Sequence, residues 1–318
     1  MQVSRLSPNE PLPGLITPEG NKDLLAVVRA EREQVRKLMQ QHGAILFRGY
    51  DVTTPGQFGE ICAALTNELL DYTERSTPRN QVEGKVYTST EYPPEAHIPL
   101  HCEMAYTTKW PRILWMYSHV AAQEGGETPI ADARKVFETI SPATRQRFID
   151  KGGVMYVRNF RKGIDLPWQE VYDVSTEAEL EDYCKKNNIA FEWREGGVLR
   201  TKAIAQAVAR HPETGEMAWF NQAHLFHVTS VEPGIRKILI AKFKEDGLPR
   251  NSYYGDGTPI EDAVLDEIRG VYAKTEVAFP WQRGDVIMID NMLVSHGRRP
   301  FKGPRKTLVA MAEAYSPS

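Results

Sequence analysis

The chain has 318 residues, 41% hydrophobic and 25% charged, with a formal net charge of -3, the balance of a globular protein with a substantial core. The slightly acidic total excludes a general electrostatic attraction to nucleic acid, and no apolar run is long enough to span a membrane. Cys62, Cys102 and Cys184 are too few and too scattered for a disulfide framework, and residues 1–8 lack the apolar core of a signal peptide, so a cytoplasmic location and one domain over residues 1–318 are expected.

In chain order, Asn21 opens a helical pattern in which Leu24, Leu25, Val28, Val35, Leu38 and Met39 form one apolar stripe that stops at Gly43. Residues 44–47 read as a strand, and Thr54-Pro55 starts a helix carrying Phe58, Ile61 and Leu65. The stretches 98–101 and 110–117 are rich in aromatic and branched residues and suit strands. If His101-Cys102-Glu103 continues the first, His101 and Glu103 share a face and Cys102 points away. Gly125-Gly126 makes a turn leading to Thr128. Strand-like runs follow at 154–157 and 189–193, and a hairpin joins 208–210 to 217–220 through Glu213-Thr214-Gly215. Thr176 with Glu179 and Thr258 with Glu261 have capping-box spacing. Arg283-Gly284-Asp285 is a turn into a buried strand that ends near Asn291, with His296 displayed just past it. A second turn, 300–304, delivers Arg305 to a terminal strand on which Lys306 faces the other way. Strands flanking long helical insertions suit a mainly β fold with flanking helices, a double-stranded β-helix (jelly roll, cupin-like) with helical insertions.

His-x-Glu by itself is more often coincidence than a metal site, and with eight histidines a distant partner is expected somewhere. Together, His101, Glu103 and His296 supply two imidazoles and a carboxylate, the facial set of non-haem Fe(II) oxygenases. A zinc hydrolase would use the same donors around an activated water, and a cupin-like binding protein would bind a small acid without chemistry. A Thr128 hydroxyl and an Arg305 fork can hold the distal carboxylate of a dicarboxylate; singly, they read as a turn cap and a surface cation. His42, His97, His119 and His211 read as surface or loop residues, and His224 and His227 as packing residues. Near the pocket mouth, Glu91 is suited to a substrate ammonium and Asn221 to a carboxylate or amide.

His101-x-Glu103, Thr128, His296 and Arg305, in this order and together with segments 43–49, 99–106 and 125–129, resemble the taurine/2,4-dichlorophenoxyacetate dioxygenase superfamily, the clavaminate-synthase-like Fe(II)/2-oxoglutarate enzymes. Within it the likeness is to the syringomycin-cluster aspartyl hydroxylase subgroup. The eight residues between His296 and Arg305 are a shorter gap than the family's usual one. The resemblance implies Fe(II) on His101, Glu103 and His296, 2-oxoglutarate held by Thr128 and Arg305, and O2 as second cosubstrate. It implies hydroxylation of an unactivated C-H of an amino acid or amino-acid-derived molecule, free or tethered to a carrier protein or peptide, in natural-product biosynthesis, with release of succinate and CO2. Glu103 favours hydroxylation over halogenation, because related halogenases lack this carboxylate. Alternatives within the family are desaturation and catabolic oxygenation of a small sulfonate or carboxylate.

Overall fold

The structure, a computed structural model, describes residues 2–7, 10–71, 80–90 and 92–317. Its frame is a nine-stranded sheet in the order Ser4–Ser7, Glu10–Ile16, Ala44–Phe47, Val286–Asp290, Trp110–Val120, Lys306–Tyr315, Val86–Thr88 and Gln81–Glu83, with Leu69–Leu70 also paired to Lys306–Tyr315. The central strands alternate strictly, as side chains in a pleated strand must. Ile45, Phe47, Trp115, Tyr117, Met288 and Ala310 face one core with the helices Leu24–Ala30, Arg32–His42 and Pro55–Leu65. Ala44, Leu46, Leu114, Met116, Ile287, Val309 and Met311 face the other. Onto that second face packs a three-stranded antiparallel sheet, Ile130–Asp132, Val294–Arg298 and Ile98–His101, through Ile130 and Val294. The facing sheets are the jelly-roll core expected from sequence; among the described residues they do not close into a barrel.

The insertion between residues 133 and 275 carries its own four-stranded sheet, Ala190–Arg194, Val198–Ala205, Val154–Phe160 and Arg250–Tyr254. Its core includes Leu100 and Tyr106, so the segment bearing His101 and Glu103 is gripped between two cores. Among the described residues no helix is long and apolar enough to cross a membrane.

Local signals account for most element ends. Thr54 and Gln57, and Thr176 and Glu179, form reciprocal capping boxes, and Gly43 ends its helix at φ 74°. Two readings are corrected. The first apolar stripe belongs to two helices, because Glu31 breaks the chain at φ -115°, and the cap is Asp23, whose side chain accepts from Ala26 N; Asn21 instead accepts from Asp23 N. Thr258 does not cap the helix Asp262–Thr275. Its amide and hydroxyl are taken by Asp256, and Glu261 stands at the N-cap.

Candidate functional site

His101 ends its strand directly opposite His296 on the neighbouring strand, with ring centroids 4.5 Å apart. The close approach of these strands needs Gly297, where a Cβ would lie 2.5 Å from the Ile98 carbonyl oxygen. His296 thus sits within a strand rather than on the loop expected from sequence. The run 294–298 is too short to read as a strand alone and is made one by pairing on both sides.

Glu103, by contrast, is not in the strand that His101 ends. It lies two residues past its end, in a turn where Met104 has φ 56°. The strand's two-residue periodicity therefore does not place the carboxylate; Asn291 does. Its Oδ1 accepts from Glu103 N at 2.7 Å, and its Nδ2 donates to Glu103 O and Pro111 O, each at 2.9 Å. Ligand atoms of His101, Glu103 and His296 all lie within 4.8 Å of one another, and His296 Nε2 is 3.7 Å from Glu103 Oε2. His101 Nδ1 donates to the Pro99 carbonyl at 2.8 Å, a bond that fixes the tautomer with the lone pair on Nε2, as metal-binding imidazoles require. The donors present therefore fit a divalent transition metal. Cys102 packs away from them with Met104, Trp110 and Phe220.

The cavity beside this cluster is lined by His101, Glu103, His296, Thr128 and Arg305, with Ile98, Leu114, Met116 and Val309 supplying apolar walls. Thr128 is buried, and its hydroxyl oxygen accepts from Trp281 Nε1 at 3.0 Å, which frees the hydroxyl proton to donate elsewhere. Arg305 Nε donates to Gly126 O at 3.0 Å, and the guanidinium lies 5.5 Å from the Phe301 ring centroid. Gly126 has φ 72°, and a Cβ there would press on the Arg305 side chain at 3.0 Å. Burial, then Arg298, push Arg305 down to about 10, with Glu127 opposing; it remains a cation at neutral pH. Arg298 also lines the cavity, but its terminal nitrogens donate to the carbonyls of Tyr92, Pro93 and Ala96. Lys306 is exposed.

The other sequence-derived residues lie elsewhere. Asn221 is buried, but its Nδ2 donates to Ala207 O and its Oδ1 accepts from Ala223 N, and it does not line this cavity. Glu91 lies outside the described residues. His211, expected at the surface, is fully buried with Nε2 2.9 Å from Asp290 Oδ2, because the hairpin carrying it folds over the turn that holds Asn291. Asn291, Trp281 and His211 all support the site through contacts more than seventy residues away in sequence. Only the Asp290-Asn291 pair after an apolar strand offered a signal.

His224 and His227 do pack rather than ligate. His224 Nε2 donates to Leu100 O at 3.0 Å, and its ring lies 4.7 Å from Tyr272. Burial, opposed by that bond and aided by Arg269, pushes His224 down to about 3; burial lowers His227 to about 4. The unfolded chain takes up these protons near the ordinary histidine value while the native state resists, so stability present above about pH 6.5 is lost as pH falls. For His224 the slope reaches about 1.4 kcal/mol per pH unit. We expect His224→Gln to flatten the acid limb of a denaturant-midpoint profile; an unchanged limb would remove this histidine from the effect.

The profile of the taurine catabolism dioxygenase TauD, TfdA family matches residues 8–311. The chain belongs to the TauD/TfdA family. It is a 2-oxoglutarate-dependent non-haem iron dioxygenase, with Fe(II) as cofactor and 2-oxoglutarate and O2 as cosubstrates. This TauD/TfdA chain is 44% identical over 284 residues to the dapdiamide synthesis protein DdaC of Enterobacter agglomerans, covering 89% of this chain and 86% of that protein. It is 28% identical to a clavaminate synthase-like protein of Arabidopsis thaliana, over 98% of this chain and 92% of the relative. Its fold is shared with a taurine dioxygenase from Burkholderia xenovorans, at a TM-score of 0.56 and 17% identity, covering 98% of this chain and 90% of that one.

Proposed function

We propose that His101, Glu103 and His296 hold Fe(II), that Thr128 and Arg305 grip the distal carboxylate of 2-oxoglutarate, and that the enzyme hydroxylates an amino-acid-derived small molecule in natural-product biosynthesis. The observation that carries the site is the gathering of all five side chains around one cavity. The observation that carries the pathway class is the 44% identity to DdaC across most of both chains. Bound Fe(II) supplies the activation of O2, coupled to decarboxylation of 2-oxoglutarate to succinate and CO2 and insertion of one oxygen atom into the substrate C-H. The protein's part is positional. The Pro99 carbonyl orients the His101 ring, Asn291 sets the Glu103 backbone, and Trp281 turns the Thr128 hydroxyl so that it donates. Arg305 adds a desolvated cation whose attraction for a carboxylate is larger than in water. Ile98, Leu114, Met116 and Val309 keep bulk water from the reacting centre.

Two finer readings belong with this proposal. The family match over residues 8–311 supports one dioxygenase domain, and three free, buried cysteines suit a reducing, cytoplasmic setting. Whether the substrate is free or tethered is open to direct assay, by comparing succinate release with free amino acids and with their carrier-bound forms.

Anaerobic addition of Fe(II) and 2-oxoglutarate to the protein tests the site: a weak visible charge-transfer band is expected, and its absence in folded, metal-loaded protein overturns the reading. Arg305→Ala is expected to raise the 2-oxoglutarate KM by at least about tenfold, the loss of one charge-assisted hydrogen bond. An unchanged KM would move the role to another cation.

A further inference from the structure

A second space opens onto the metal cavity. The cavity at His101, Glu103 and His296 shares five lining residues, Ser89, Thr90, Arg298, Arg305 and Thr307, with an outer compartment. About 40 Å³ of the inner space is open to water centres, room for about three waters, against about 530 Å³ of the outer one. A dissolved dianion keeps its hydration in the outer space and sheds it on the way in. Another cleft of about 500 Å³ lies beside Met104, but it shares none of the inner cavity's lining residues. Connection, rather than size, singles out the outer compartment.

Charge follows the same path. Arg298, Arg305 and Lys306 border the outer compartment, and none of its described lining residues is a carboxylate. The cleft beside Met104 instead mixes Lys109 and Lys186 with Asp71 and Asp173. Strand alternation alone would send Lys306 away from Arg305. Arg305 precedes the strand Lys306–Tyr315, however, and the register against Trp110–Val120 shifts between Lys306 and Thr307, so both residues border one space. Lys306 is exposed and lines the outer compartment alone.

Arg298 and Arg305 line both spaces. Their guanidinium carbons lie 5.2 and 5.5 Å from the centroid of one ring, Phe301, whose π face offsets part of their repulsion. Burial and then that repulsion lower Arg305, and an anion beside the pair would relieve it. Glu95 and Glu127 act on these arginines, but neither lines either space. Arg298 is buried, its terminal nitrogens are spent on three carbonyls, and its Nε–H has no partner among the described residues. This buried cation keeps one donor unspent.

We propose that 2-oxoglutarate enters through the outer compartment, drawn by Lys306 and passed by Arg298 to its seat at Thr128 and Arg305. The inference rests on the seat proposed above and adds a route to it. Lys306 is a steering residue, acting on the approach of a dianion; charges at a rim change association more than dissociation.

The test mixes the anaerobic, Fe(II)-loaded full chain with 2-oxoglutarate in a stopped-flow instrument and follows the charge-transfer band. The slope of the observed rate against 2-oxoglutarate concentration gives kon, and the intercept gives koff. Raising salt from about 20 to about 500 mM should slow association several-fold, because screening shortens the reach of these charges. Lys306→Glu should lower kon by about tenfold at low salt, a gap that closes at high salt. Lys109→Glu makes the same charge change at the other cleft and should leave kon within about twofold.

Obstruction gives a second reading that does not depend on charge. Cys62, Cys102 and Cys184 are buried, so a thiol reagent labels Lys306→Cys at the introduced position. A bulky neutral group there should slow kon and koff alike, relative to a methylthio group, because a narrowed route acts in both directions. Equal losses of kon in Lys306→Glu and Lys109→Glu would make the attraction a property of the whole molecule, and a loss confined to Lys109→Glu would move the entrance to the other cleft. Either result overturns the proposal, as does a bulky group at position 306 that changes neither rate. Band amplitude at saturation and the Arg305→Ala KM read the seat separately: normal values with unaltered rates sink the route alone, and loss of the seat takes the route with it.

Discussion

Glu103→Ala is expected to abolish Fe(II)-dependent succinate formation and the anaerobic charge-transfer band together, and His101→Ala and His296→Ala to do the same. The three donors lie within 4.8 Å of one another, and a facial set offers no spare protein ligand to replace a lost one. The loss should appear in metal affinity before it appears in stability, since the alanine variants keep Asn291's bonds to the Glu103 backbone. Equilibrium dialysis against Fe(II), read beside a thermal melt, separates these outcomes. Full succinate formation in any one variant removes that residue from the ligand set. Loss of metal without loss of fold is the result that supports it.

Asn291→Ala should have the second largest effect, though this side chain has no place among the metal donors. Its amide answers three buried backbone groups, Glu103 N, Glu103 O and Pro111 O. Each buried group left unmet costs about 1–3 kcal/mol. The Glu103 turn would lose its fixed position, and supporting-residue losses of this kind lower metal affinity by about 10–100-fold. Asn291→Asp should be no better, because its second oxygen would face two carbonyls that now receive a hydrogen bond. Unchanged Fe(II) affinity in a folded Asn291→Ala protein would show that the turn holds its shape by packing alone. Residual binding that recovers at high Fe(II) is the expected outcome, with Glu103→Ala showing no such recovery.

Local chemistry made much of this molecule legible from residue order. Thr54-Pro55 and Thr176 with Glu179 announce helix starts because their side chains satisfy amides within the same turn. Period-two alternation gives the central strands, since each pleat must send its residues to opposite faces. His101, Glu103, Thr128, His296 and Arg305, which line one cavity, can be proposed together from residue order, because the donor chemistry of a metal and of a keto acid restricts the residue types.

Tertiary structure decided how these residues meet. Glu103 leaves the strand and is held by Asn291, 188 residues away. His296 acquires its strand from two partners. His211 is drawn inside by Asp290, while Asn221 spends its amide on Ala207 and Ala223. Arg158 and Arg250 face each other only through strand register. The reason is common to all of them: helix caps and pleats are satisfied within a few residues, whereas buried amides, carboxylates and guanidiniums take whatever partner the folded chain brings within hydrogen-bond distance.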